Sequence, residues 1–300
     1  MLAAALLWGG INVIVKHLAI RNLNPLVLSC VLYFFAVVVL IPVSYLLWRA
    51  GGVRSTSFWK FRRPGILIGA TKAAETLCFI SAVSFISATQ TTLLTKLNSV
   101  WTFLILFVLY RTEVRISNLL GVMLSFLGVY LVLGDGFSSL DSNMISGASL
   151  AILGSLGFAI FSVALSKDPG ANAPMDVGER FRYTSSFLAM AFLFMLPFGL
   201  AFLPDSLPES ADLMWLAVAG GVFTSLTYYL YFNALTRISS LLAVVLLSFT
   251  VLFTLVLEQV VLGISVLSNS FIAGAILIFS GVLFTKPRDV NDSLDERKDP

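Results

Sequence analysis

The chain has 300 residues, 58% of them apolar and 12% charged, with a formal net charge of +3 and a mean hydropathy of +0.94. A soluble domain carries about a quarter charged residues, so this composition excludes an ordinary soluble globular protein and describes a polytopic membrane protein. The basic residues are spread over short loops rather than gathered on one face, which argues against a nucleic-acid partner and leaves the lipid bilayer as the implied one.

Crossing a bilayer takes about 20 apolar residues per helix. Ten such runs follow one another at 2–20, 25–48, 64–86, 88–110, 116–134, 146–167, 180–203, 212–235, 240–262 and 266–285. The connections are too short to hold a soluble domain, so the expected fold is an all-α bundle of ten transmembrane helices. No basic n-region follows Met1, and a cleaved signal peptide is not expected. Cys30 and Cys78 fall within apolar helices, without CxxC or metal-like spacing, and read as inert buried thiols. No cofactor or metal is expected. The tail 287–300 is polar and is expected to be disordered.

Topology follows from Lys and Arg. With the N-terminus in the cytoplasm, Arg49, Arg54, Lys60, Arg62, Arg63, Arg111, Arg115, Lys167, Arg180, Arg182, Arg237 and the tail cations all fall inside. Only Lys16 and Arg21 fall outside, where the loops instead hold Asp135, Asp141, Asp205, Glu209 and Asp212. This positive-inside bias predicts that both termini are cytoplasmic, in a plasma or inner membrane.

Shifting the sequence by about 152 residues brings the third helix onto the eighth, Gly69 onto Gly221 and SFISAT onto TRISSL. Gly121 and Gly128 meet Gly274 and Gly281 one residue further on. The chain therefore reads as two five-helix repeats, 1–137 and 145–286. Five is odd, so the second copy enters from the opposite side, and inverted repeats place a substrate site near the midplane between them.

Three stretches carry a family resemblance: LLWGGINVIVK at the start, LLTKLNSVWTFLILFVLYRTEVRISNLLGVMLSFLGVYLV across helices four and five, and its echo in helices nine and ten. They resemble the EamA-like branch of the drug/metabolite transporter superfamily, through loose apolar patterns over nearly the whole chain. The resemblance implies two inverted five-helix repeats, with helices 1, 3, 4, 6, 8 and 9 around a central cavity and helices 5 and 10 peripheral. The sequence departs from the family in two places. The Gly-Glu that commonly closes helix four reads Thr112-Glu113, and its equivalent after helix nine reads Gly263-Ile264; the mid-helix Pro of helices four and nine is absent in NSVW and FTVL.

Within the apolar helices stand Lys72, Glu75 and Lys96. Ionisable side chains at bilayer depth are costly and by default mark a pathway. At about 1.5 Å per residue in a core of about 30 Å, Lys72 lies roughly 12 Å from the cytoplasmic face, Glu75 about 16 Å, and Lys96 about 12 Å from the outer face. If helices three and four face one cavity, the array is Lys–Glu–Lys with one positive charge left over, which favours a carboxylate. The alternative is that Lys72 and Glu75 only neutralise each other and Lys96 snorkels. Midplane burial and the lysines act on the Glu75 carboxyl in opposite senses, so its role as carrier of a coupling proton stays open.

Around Lys96, Thr91, Thr95, Asn98 and Thr102 recur at helical spacing beside Thr92 and Ser99. Hydroxyls often bond back to their own helix; Asn98, with an amide to satisfy, is the stronger contact candidate. The second repeat puts Thr224, Thr227 and Ser248 where the first has Lys72, Glu75 and Lys96, and offers Thr224, Tyr228 and Tyr231 on one face of helix eight. Trp8, Asn12 and Trp101 are deep enough to line the cavity or to pack the bundle. Trp48 and Trp215 suit interfacial anchors, His17 an interfacial position, and Glu258 the watery outer end of helix nine. Gly121-x3-Ser125 and Gly147-x3-Ala151 are small-residue spacings for close helix packing.

These features predict a secondary transporter, an exporter of a small amino-acid-like or carboxylate metabolite; no P-loop is present to couple it to ATP. A sugar-phosphate or nucleotide-sugar antiporter is the alternative within the superfamily, but the second repeat supplies no cation at depth for a phosphate. An intramembrane enzyme would need HExxH, paired aspartates or G-x-S-x-G, and none occurs. A homodimer is compatible with the sequence.

Overall fold

A computed structural model describes residues 1–50, 63–110, 116–137, 142–168, 177–203, 209–235, 240–264 and 268–284. The loop cations Arg54, Lys60, Arg62, Arg111, Arg115 and Arg237, the acids Asp141 and Asp205, the Thr112-Glu113 pair and the tail 287–300 lie outside these residues, as do the side chains of Trp48, Asp135, Lys167 and Ser248.

Among the described residues every regular element is helical, as a chain needs when lipid cannot satisfy its backbone. In order they are α1 (Leu2–Ile20), α2 (Pro25–Ala50), α3 (Arg63–Phe85), α4, α5 (Ile116–Phe137), α6 (Ser142–Lys167), α7 (Val177–Ala201), α8, α9 (Ser240–Leu262) and α10 (Asn269–Phe284). Two helices are interrupted. α4 runs Ala88–Leu94, tightens to a 3-10 turn over Thr95–Leu97 and continues as Asn98–Tyr110. α8 runs Ser210–Ala217, widens to a π-turn over Val218–Thr224 and continues as Ser225–Leu235.

Seven of the described helices are long and apolar enough to cross a membrane, and the stretches Leu119–Gly128, Phe249–Leu262 and Asn269–Phe284 are shorter apolar helices. Large apolar side chains such as Leu46, Val108, Met123, Tyr130, Val256 and Val260 stand exposed around the outside. In water this would be an aggregation surface; against acyl chains it is the expected one.

The helices pair between the two halves of the chain. α5 lies on α10, α2 on α7, α3 on α6 and on α7, α1 on α9, and α8 on α1 and α2. Lipid tails are as apolar as leucine, so close approach rather than water exclusion holds such pairs together. Gly128 of α5 is the plainest case: a Cβ there would sit 2.6 Å from the Gly274 carbonyl oxygen and 2.7 Å from Ile278 Cγ1 of α10. Gly128→Ala is expected to force α5 and α10 apart at a cost of about 1–3 kcal/mol, read as a lower melting temperature of the detergent-solubilised protein. The same close packing takes up both predicted spacings, with Gly281 against Gly121 and Ser125 and Gly147 against Phe85 and Ile86.

Candidate functional site

Three glycine and polar features bring α1, α3, α4, α6 and α9 around one space. Gly157 lets α6 lie on the α3 backbone, since a Cβ there would come 3.2 Å from Glu75 Cα. Thr91, Thr92 and Thr95 spend their hydroxyl protons on carbonyls one turn back, at Ser87, Ala88 and Thr92, which leaves their oxygens available. Asn12 of α1 reaches across to Thr92 Oγ1 at 2.9 Å and to Thr254 Oγ1 of α9 at 3.4 Å.

The space enclosed is a cavity lined by Trp8, Asn12, Glu75, Phe79, Thr92, Thr95, Lys96, Asn98, Phe158, Leu247 and Thr250. Its mix of rings with a few polar groups is the lining that a small-metabolite site uses. Lys96 sits in the 3-10 turn, and its Nζ donates to the Leu247 carbonyl at 3.3 Å. Among the described residues no carboxylate forms an ion pair with it. It does not snorkel: the residue is 9% exposed. Three acceptors on the same wall, Asn12 Oδ1, Asn98 Oδ1 and Thr250 Oγ1, are buried without a hydrogen-bond partner. Buried polar groups are rarely left so, and a ligand with donors would satisfy them.

Glu75 presents its other side to a polar cluster. Lys72 Nζ is ion-paired and hydrogen-bonded to Glu75 Oε2. Thr76 Oγ1 donates to the same oxygen at 3.1 Å. Because that proton is committed, the 2.9 Å bond between Tyr33 and Thr76 must be donated by Tyr33, and the 3.4 Å contact between Tyr33 and Tyr228 by Tyr228. A relay of hydroxyl donors thus points from α8 through α2 to the carboxylate on α3. Lys72 itself is not on the cavity wall. It is 2% exposed, behind Trp8 and Phe158.

Of the residues predicted from sequence, Trp8, Asn12, Glu75, Thr95, Lys96 and Asn98 share the cavity wall. Lys72, Tyr228 and Tyr231 form the layer behind it, with Trp8 in contact with both tyrosine rings. Two stand elsewhere. Trp101 donates through Nε1 to Ser155 Oγ at 2.9 Å and packs on Phe126, and Thr224 donates to the Ala219 carbonyl within the π-turn. Tyr33, Phe79, Phe158, Leu247 and Thr250 were not singled out. Thr250 had a signal: it lies about 152 residues after Asn98, the shift that aligns the halves.

Glu258 corrects its expectation. It does not reach water at the end of α9 but is 0% exposed, accepting from Ala88 N at 2.8 Å, Thr89 N at 2.9 Å and Thr89 Oγ1 at 2.6 Å. Its charge is spent on the open amides at the start of α4. Lys16, expected on the outer side at the end of the first helix, donates to the Val83 and Ile86 carbonyls at 2.8 Å and caps α3. The short turn at Ser87 is thereby clamped by α1 and α9. Glu258→Ala is expected to cost about 1.5–3 kcal/mol for hydrogen bonds to a charged group, seen as a lower unfolding temperature in detergent. At the far end of the bundle, rings of α7 lie flat on rings of α8: Phe181 on Tyr229 at 4.1 Å and Tyr183 on Phe232 at 5.3 Å, with Tyr183 also donating to Asp168 at 2.5 Å.

The sequence matches the EamA-like transporter family over residues 1–134 and 145–286. An uncharacterised transporter of Archaeoglobus fulgidus is 26% identical over 291 residues, 93% of each chain. A WAT1-related protein of Arabidopsis thaliana is 26% identical over 176 residues, 54% of this chain and 51% of that one. A solved crystal structure, at 17% identity, superposes with a TM-score of 0.62 over 99% of both chains and shares the fold.

Proposed function

The chain belongs to the EamA-like transporter family, and on that premise we propose that it is a secondary active exporter of a small amino-acid-like or carboxylate metabolite. One observation carries the substrate class: Lys96 faces the cavity with no carboxylate partner among the described residues, beside orphaned amide oxygens of Asn12 and Asn98. Lys72 and Glu75 cancel, so among the described residues the cavity wall holds one uncompensated cation. A substrate carboxylate on Lys96 supplies the missing charge, and a substrate ammonium or hydroxyl donates to the two amide oxygens. Glu75, the carboxylate on that wall, is the group proposed to take a coupling proton.

Alternating access between inverted repeats 1–137 and 145–286 is the proposed mechanism. Exchanging α1–α5 with α6–α10 maps the helix pairings onto one another: α3 on α6 becomes α8 on α1, α1 on α9 becomes α6 on α4, and α2 on α7 and α5 on α10 map onto themselves. This supports the two-fold relation. The Lys16–Glu258 clamp at one end and the ring stacks of α7 and α8 at the other are the contacts that would break in turn. By the positive-inside pattern the ring stacks lie on the cytoplasmic side, with both termini.

Uptake and counterflow in liposomes over amino acids, organic acids, amines and sugar phosphates test the proposal. Counterflow of a carboxylate or amino acid that disappears in Lys96→Ala is the expected result; counterflow of amines or sugar phosphates alone overturns it.

A further inference from the structure

Lys72 lies among four rings. Its Nζ is 5.0 Å from the centroid of Tyr228, 5.6 Å from those of Trp8 and Phe158, and 5.7 Å from that of Phe161. All four distances are within the range at which a ring face attracts a cation. The rings come from α1, α6 and α8, and Glu75 closes the remaining side with its carboxylate. Aromatic walls with one acid are the chemistry that recognises organic ammonium ions. A lysine is not needed to neutralise a carboxylate here, because an apolar pair would be tolerated at least as well at so buried a site.

We propose that the Trp8–Phe158–Phe161–Tyr228–Glu75 cluster is an organic-cation site whose occupant is the chain's own Lys72, and that Lys72 is a specificity determinant excluding free amines and quaternary ammonium ions. While Lys72 is in place, Glu75 already has its cation and the rings their guest, so a diffusing ammonium finds no vacancy. This turns the open part of the cavity toward anionic groups. The idea concerns the box behind the cavity wall and is read by cation binding, so it stands or falls separately from the substrate assigned to Lys96.

The test uses the full chain purified in detergent, with thermal unfolding followed as a function of added chloride salts at constant ionic strength. n-Propylammonium carries the same atoms, from Cγ to Nζ, that Lys72→Ala removes; tetramethylammonium is the quaternary probe, and 1-butanol the neutral control. Lys72→Ala is expected to be stabilised saturably by both cations, roughly tenfold or more tighter than the wild type, and not by 1-butanol, in line with a cation–π and ion-pair contribution. Lys72→Ala with Glu75→Gln is expected to lose that response. An equal response of the wild type, no response of a folded Lys72→Ala, an equal response to 1-butanol, or an undiminished response of the double variant each overturns the proposal. Should Lys72→Ala not be monodisperse, n-propylammonium is added during extraction: recovery of a monodisperse protein supports the box, and failure to recover it overturns it.

Discussion

Lys96→Ala is expected to abolish substrate counterflow while leaving the protein folded. The ammonium donates to the Leu247 carbonyl at 3.3 Å, just beyond the usual range for such a bond. Removing the ammonium takes a buried charge out of a site where it has no carboxylate partner among the described residues, so little native stabilisation disappears with it. What does disappear is the charge-assisted bond to the substrate, about 1.5–3 kcal/mol, or about 10- to 150-fold in affinity. Counterflow in liposomes measures the loss, and the melting temperature in detergent, expected within a few degrees of wild type, shows that it is not a folding defect. Lys96→Arg keeps the charge but places a planar fork where a compact ammonium fits; partial counterflow is expected. Wild-type counterflow in Lys96→Ala would remove Lys96 from the site.

Glu75→Gln is expected to have the larger effect on stability. The carboxylate receives Lys72, Thr76 and, through Thr76, the Tyr33 and Tyr228 hydroxyls. The amide introduced by Glu75→Gln could still accept one of these bonds, but Lys72 would be left charged and unpaired at 2% exposure. Breaking a buried pair by removing one partner costs about 3–5 kcal/mol, and yield and unfolding temperature are expected to fall accordingly. Combining Glu75→Gln with Lys72→Met removes the orphaned charge and should restore the unfolding temperature. Transport then separates the two possible roles of the carboxylate. With Glu75 carrying a coupling proton, the stable double variant exchanges substrate across the vesicle membrane but no longer concentrates it against a gradient when a pH difference is imposed. Full gradient-driven accumulation by the double variant would show that the pair only neutralises itself.

Family membership already indicates a membrane transporter, and most of what positions the helices is a one-dimensional property. Hydropathy depends on which residues lie within about 20 positions of each other, and every predicted span agrees with an observed helix to within a few residues. The buried charges were equally legible, because Lys72, Glu75 and Lys96 are conspicuous in apolar runs whatever they touch. The i, i+3 relation of Lys72 and Glu75 on one helix also contained their pairing.

What tertiary structure alone decided is which polar groups meet across helices. Glu258 looks like an end residue from its position in α9, and only the approach of the α4 N-terminus, 169 and 170 positions away along the chain, makes it a buried cap. Lys16 likewise reads only as an outer-side cation of the first helix until the end of α3 is laid beside it. Tyr33 sits in an apolar stretch of α2 that carries no periodic signal, and its place in the hydroxyl relay depends on where α2 crosses α3 and α8. The same holds for the rings around Lys72, drawn from three helices. Hydropathy selects residues for the bilayer one helix at a time, whereas a polar contact is fixed by the rotation and crossing point of two helices. Those are set by small residues such as Gly128 and Gly157 meeting a particular neighbour, and that neighbour is known only once the bundle is assembled.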